Sequence, residues 1–198
     1  MTDPFGGIAG PDDTALERLH ATLADRAERD GLLDVAYRTF ESPVGLLLLA
    51  ATPIGVVRVA FPGEGHEAVL GELAESVSPR IMHRPARLDV AAAGLDAYFA
   101  GRHRDLDDVP VDLCLARGFR RDVLDALRAI PYGATRSYGS IAAATGHPRA
   151  VRAVGTACAR NPVPLVVPCH RVVRSDGVIG QYRGGVDAKR LLLDLESS

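Results

Sequence analysis

Leu16, Leu19, Leu23 and Ala27 recur at intervals of three and four, the spacing that lines apolar side chains along one face of a helix. Thr14 and Glu17 just ahead fit a capping box, with Thr14 as N-cap and Glu17 at N3, and Gly31 ends the run. This narrow stripe is expected to dock on the body of the protein. Residues 1–12, rich in Gly, Pro and Asp, are expected to be disordered. From residue 34 the period shortens. Residues 34–42, 46–52 and 56–61 read as three strands separated by Ser42-Pro43-Val44-Gly45 and Thr52-Pro53-Ile54-Gly55, an antiparallel meander. Residues 66–77 and 86–100 read as helices covering one face of it, with Gly101 as a C′ residue. The acidic, proline-bearing residues 102–113 form a short strand or a linker, and His66 and His103 belong to the surface.

The second half is helical in pattern. Phe119, Val123, Leu127 and Ile130 share one face and stop at Pro131-Tyr132-Gly133. Residues 138–145 form a short helix ended by Gly146; Pro148 opens the next at N1, and that helix runs to about Cys158. Two short helices meeting at Gly146-His147-Pro148 have a helix-turn-helix layout. The second alternates arginines with very small residues, which suits close approach to a narrow groove with little base discrimination; close helix packing would use the same small residues. Residues 172–179 read as a hairpin turning at Asp176-Gly177, 181–185 as a glycine-bearing loop, and 186–196 as a last helix with Leu191, Leu192 and Leu195 inward.

Composition adds an asymmetry. Among 198 residues the net charge is only −2, yet residues 115–190 carry 13 of the 23 Lys+Arg and 4 of the 25 Asp+Glu. A basic stretch beside an acidic remainder suggests a polyanion-binding face, or arginines paired with the acidic half. No apolar run approaches the roughly 20 residues that cross a bilayer, and Met1-Thr2-Asp3-Pro4-Phe5 is unlike a signal peptide. Three cysteines without CxxC spacing argue against a disulfide framework or zinc site and for a cytoplasmic protein without metal or other cofactor.

The candidate chemistry sits in Pro164-Leu165-Val166-Val167-Pro168-Cys169-His170-Arg171-Val172-Val173. An apolar run is stopped by a proline, and a thiol, an imidazole and a guanidinium follow at once. A free thiol titrates near about 8.5, and positive charge or a histidine base raises its thiolate fraction. Cys169 is therefore either an activated nucleophile or a small buried hydrophobe.

Together, Ile130-Pro131-Tyr132-Gly133, Ser137-Tyr138-Gly139, Arg149-Ala150-Val151-Arg152-Ala153-Val154-Gly155, Arg160-Asn161-Pro162-Val163-Pro164, Pro168-Cys169-His170-Arg171-Val172 and Tyr182-Arg183-Gly184-Gly185 closely resemble the O6-alkylguanine-DNA alkyltransferases. The match covers residues 117–196 in order and spacing. The resemblance implies an α/β (α+β) protein: an extension over 1–33 with one helix, a ribonuclease H-like domain of small antiparallel sheet and helices over 34–113, and a mostly helical, winged-helix-like DNA-binding and alkyl-acceptor domain over 114–198. It implies a monomer that acts on double-stranded DNA, flips out an O6-alkylguanine (or O4-alkylthymine) and moves the alkyl group irreversibly to its own cysteine.

By motif position, Cys169 is the nucleophile, His170 accepts its proton through a bridging water, and Glu196 orients the imidazole. Asn161 is the hinge between recognition helix and active-site loop, and Tyr138 assists the departing guanine. Arg152 enters the base stack (or contacts a phosphate), with Arg149, Ala153 and Tyr138 also on the DNA face. Tyr182, Arg183, Val172 and Cys158 wall the substrate pocket, and Lys189 matches a basic residue of the last helix. Leu124 and Arg183 depart from many relatives, and Arg183 would make the pocket narrower or more positive. That departure keeps open a non-catalytic, alkyltransferase-like lesion-recognition protein. A helix-turn-helix transcription factor would leave Pro168-Cys169-His170-Arg171 unexplained, and a cysteine hydrolase would need an oxyanion loop that the sequence lacks.

Overall fold

A computed structural model describes residues 13–102 and 104–197. The expectations for residues 1–12, for His103 and for the Glu17 side chain lie outside the described residues.

Strands β1 (Val35–Phe40), β2 (Leu47–Ala51) and β3 (Val56–Ala60) form the expected antiparallel meander, but a fourth strand, β4 (Ile81–His83), runs parallel to β1. The sheet order is β3-β2-β1-β4. Three residues are too few to show a period, so β4 left no pattern to read. Helices α2 (His66–Ser76) and α3 (Asp89–Phe99) do not share one face of the sheet. Leu48, Ala50 and Val57 pack with Val69 and Leu73 of α2, whereas Leu47, Leu49 and Val59 pack with Ala91, Leu95 and Tyr98 of α3. Both faces are covered, which is why β2 is apolar and buried at every position.

Helix α1 (Asp13–Arg29) begins one residue ahead of Thr14, so Thr14 lies inside it. Its leucine stripe does not dock: Leu19 and Leu23 are 63% and 56% exposed. The helix is held instead through buried Ala24 and through Glu28, which pairs with Arg84 and Arg87 at 2.9 Å each. Residues 102–113 contain a single turn, α4 (Arg104–Asp107), and then one parallel bridge between Val56 and Val111.

Helices α5 (Phe119–Arg128), α6 (Tyr138–Ala144) and α7 (Val151–Ala159) pack on one another. Ser137 caps α6 by accepting from the Ser140 N–H at 3.0 Å. Pro148 is not at N1 of α7. It occupies a separate turn closed by the Ala150 N–H on the His147 carbonyl at 2.8 Å, a position where its fixed φ serves equally well. The predicted hairpin is also absent: β6 (Val172–Val173) pairs in parallel with β5 (Arg136–Ser137). Asp176-Gly177 makes a turn, with Gly177 at φ 78°, but no returning strand follows. The chain closes with α8 (Val186–Glu196).

One continuous core joins the α3 side of the sheet to the helical half. It runs from Leu49 and Leu95 through Leu124, Leu127 and Val154 to Val167, Cys169 and Leu192. At the seam the Val59 N–H donates to the Pro162 carbonyl at 2.9 Å. The segment leaving α7 thus extends the hydrogen bonding of β3, and the site forms beside that junction.

Candidate active site

The nucleophile's segment is built on one amide. Asn161, 1% exposed, follows α7 and bonds the chain that comes after it at three points. Its Nδ2 donates to the Val167 carbonyl at 2.8 Å and to Cys169 Sγ at 3.2 Å, while its Oδ1 accepts from the Val163 N–H at 3.0 Å. These bonds hold residues 161–169 in a tight curl in which Leu165 takes φ 74°, a left-handed conformation that costs a branched residue about 1–2 kcal/mol. Pro168 then starts a single 3₁₀ turn, Cys169–Arg171, that aims three consecutive side chains into the core.

Glu196, at the end of α8, collects them. Its Oε1 accepts from His170 Nε2 at 2.7 Å, from Tyr98 Oη at 2.7 Å and from Arg171 Nη2 at 3.0 Å; its Oε2 accepts from Arg171 Nε at 2.8 Å and from the Gly133 N–H at 3.1 Å. Burial alone would raise this carboxyl, but the hydrogen bonds from His170, Arg171 and Tyr98 bring it down to about 2. As a carboxylate it can only accept, so the Nε2 of His170 carries the proton and Nδ1 is left with its lone pair. That Nδ1 is buried and has no protein partner. Burial pushes the imidazole toward its neutral form. The site holds a neutral base with one free nitrogen.

The thiol is not activated at rest. Burial pushes Cys169 above the ordinary thiol range, against the donation from Asn161 and the distant charges of Lys189 and Arg183. The neighbours that looked favourable in sequence are otherwise engaged: His170 and Arg171 both serve Glu196, and Arg171 also donates to the Ile130 carbonyl at 2.7 Å.

The remaining expected residues fall in three places. Tyr138, half-buried at the start of α6, sits against Gly180, where an added Cβ would lie 2.9 Å from its hydroxyl. Its hydroxyl and the Cys158 thiol, pushed up to about 12 by burial and by Cys169, lie within the electrostatic reach of the nucleophile. Tyr182 packs edge-on to His170 with its hydroxyl buried and unpartnered, and buried Val172 accepts from Lys189 Nζ at 2.6 Å. Arg183 is tied to the seam: its Nε pairs with Glu64 at 2.8 Å and its Nη1 donates to the Asn161 carbonyl at 3.3 Å. Arg149, Arg152 and Ala153 are exposed together at the start of α7, away from the buried cluster.

Sequence reasoning missed Tyr98 and Glu64. Tyr98 stands in an apolar stretch of α3 and reads as core; Glu64 stands in a Pro-Gly turn and reads as surface. Neither carries a local signal, because both act across the seam between the two halves.

A nucleophile–base–carboxylate cluster beside a helix-turn-helix defines a DNA-modifying thiol protein. Residues 118–198 match the family described as 6-O-methylguanine DNA methyltransferase, DNA binding domain, and residues 35–113 match its ribonuclease-like domain. The chain belongs to the methylated-DNA–protein-cysteine methyltransferase family. It is 42% identical over 172 residues to the protein of that name from Mycobacterium bovis, covering 83% of this chain and 93% of the relative. Against the Methanosarcina acetivorans protein of that name it is 40% identical over 163 residues, covering 82% and 98%. Among solved structures, the Mycobacterium tuberculosis O6-methylguanine methyltransferase superposes with TM-score 0.69 at 39% identity over 82% of this chain and 93% of that one. The Mycobacterium tuberculosis OGT in complex with DNA gives 0.67 at 40% identity over 82% and 92%.

Proposed function

We propose that this protein repairs DNA by direct reversal, taking the alkyl group from O6 of guanine, and from O4 of thymine, onto Cys169 once per molecule. Duplex DNA is gripped at the exposed start of α7, where Arg149 meets the backbone and Arg152 fills the gap left by the flipped base. Ala153 lets the helix lie close. The division of labour follows the motifs: residues 34–113 form the supporting domain, 114–198 carry DNA binding and chemistry, and 1–33 are an extension. In this reading the protein is a cytoplasmic monomer, and three free cysteines fit the reducing compartment.

The reaction forms one S–C bond and breaks one C–O bond. The Cys169 proton passes to His170 Nδ1 through a bridging water, and Glu196 stabilises the imidazolium as it forms. Tyr138, whose hydroxyl burial keeps protonated, donates to the departing guanine as charge collects on it. Tyr182, Val172, Cys158 and the Arg183 backbone bound the base. The observation that carries this reading is the buried chain Asn161–Cys169 with His170–Glu196 and its one free imidazole nitrogen. A thiol that is neutral and 3% exposed at rest is spared by water and stray electrophiles, which matters for a residue used once.

Incubation with a duplex holding one O6-methylguanine tests the proposal by intact-protein mass spectrometry, with Cys169→Ser alongside. The expected result is a stoichiometric gain of one methyl group, absent in the variant. Tight lesion binding with no mass gain would make the protein a lesion-recognition factor instead.

A further inference from the structure

Tyr98 belongs to α3, the helix packed on the sheet, whereas Cys169, His170 and Glu196 belong to the helical half. Its side chain is fully buried, and its hydroxyl lies 2.7 Å from Glu196 Oε1 and 3.5 Å from His170 Nε2. The ring is fixed edge-on by Phe99 at 5.3 Å, Tyr132 at 6.0 Å and His170 at 6.5 Å between centroids. We infer that Tyr98 is a positioning residue for the proton relay, through which the sheet half sets the orientation and basicity of the His170–Glu196 pair. The inference rests on the relay proposed above.

The geometry leaves the hydroxyl one useful role. Oε1 is the oxygen that must hold the imidazolium, and Tyr98 occupies one of its acceptor directions while His170 takes another. Donation from a neutral hydroxyl draws negative charge from Oε1, so the carboxylate pulls less strongly on the Nε2 proton. His170 therefore remains a neutral base until a proton reaches Nδ1. Burial pushes the phenol far up, so the hydroxyl stays a donor across the whole accessible pH range. The other charged or titratable groups facing the pair are Arg171, which bonds both oxygens of Glu196, and Lys189 on α8, Cys169, Tyr132 and Tyr182. Arg171 already neutralises the carboxylate. The increment from Tyr98 is thus one of tuning and aim, not of charge balance.

Tyr98→Phe removes only the oxygen. Two readouts are taken on the full chain: the His170 imidazole titration by long-range ¹H–¹⁵N NMR, and the single-turnover transfer rate against pH at saturating O6-methylguanine duplex. The expected result is a His170 midpoint moved to higher pH, with the acid limb of the rate profile following. The plateau rate should fall roughly tenfold, as loss of one hydrogen bond to a charged group allows. Leu95→Ala, a core truncation on the same helix, should lower thermal stability and leave both pH midpoints in place. Either midpoint unmoved in Tyr98→Phe, or moved equally by Leu95→Ala, would overturn the assignment. If the wild-type protein takes up no methyl group, the repair function fails, and the His170 titration still decides the role of Tyr98.

Discussion

Two glutamates organise this molecule, and they do different work. Glu196 lies in the helical half and gathers an imidazole, a phenol, a guanidinium and a backbone N–H. Glu64 lies at the seam and gathers two arginines, Arg58 Nη2 at 2.5 Å and Arg183 Nε at 2.8 Å, along with the Phe61 N–H at 2.9 Å. Both are largely removed from water. Only the first includes an imidazole with a free nitrogen, so only the first can take up a proton. The second is a clasp: it ties the 182–184 loop to β3, next to Phe61, whose ring sits edge-on to Tyr182 at 5.5 Å. A buried carboxylate becomes chemical or mechanical according to its partners, not its burial.

The widest separation between the two should come from Glu196→Gln. It leaves Arg171 buried without a charge partner and His170 without the carboxylate that would stabilise its imidazolium. The single-turnover transfer rate should fall about 100-fold or more, the usual scale of proton-transfer assistance, and unfolding free energy should drop by about 3 kcal/mol. Glu64→Gln is the matching change at the clasp. It strands Arg58, whose side chain is 5% exposed, and should cost about 2 kcal/mol in denaturant unfolding. Its transfer rate should stay within about threefold of wild type, since no reacting proton passes there. A rate loss as deep as that of Glu196→Gln would erase the distinction.

The pH dependence of stability sharpens it further. The Glu196 carboxyl is held at about 2 in the folded protein against an ordinary value of 4.5. A depressed carboxyl contributes stability that is present above 4.5 and is lost as pH falls toward 2. Glu196→Gln should therefore flatten the decline of stability over that window, as read by thermal melts at stepped pH. Smallest of all is Arg183→Ala. Its side chain is one-third exposed and Glu64 keeps Arg58, so the stability change should stay below about 1 kcal/mol. If this variant abolished transfer, Arg183 would be acting inside the pocket and not as part of the clasp.

Legibility differed by region. The strands β1 to β3, helices α2, α5, α6 and α8, and the Cys169–His170–Glu196 constellation follow patterns that are local or carried by short motifs. The attachment of α1 departs from its leucine stripe because periodicity reports that a stripe exists, not that anything covers it. Its leucines face solvent while Ala24 and Glu28 make the attachment. The covering of both sheet faces was available in the unbroken apolar run Leu46-Leu47-Leu48-Leu49-Ala50-Ala51, which alternation alone would not produce. The thiol's resting state stays open in the sequence for a different reason: adjacency does not say which neighbour a charge will serve.

What the sequence by itself determined is the set of groups and their order along the chain. A proline-stopped apolar run followed by Cys169 and His170, a small-residue helix with Arg152, and the Asn161-Pro162 step are properties of neighbouring residues, and neighbours set turns, periods and motifs. Only the tertiary structure decided the electrostatics. The depressed Glu196, the neutral His170 with its free Nδ1, the protected thiol and the arrival of Tyr98 and Glu64 from the other half all depend on burial and on contacts between residues as far apart as Tyr98 and Glu196 or Glu64 and Arg183. Burial and long-range contact arise only when the two halves close on one core.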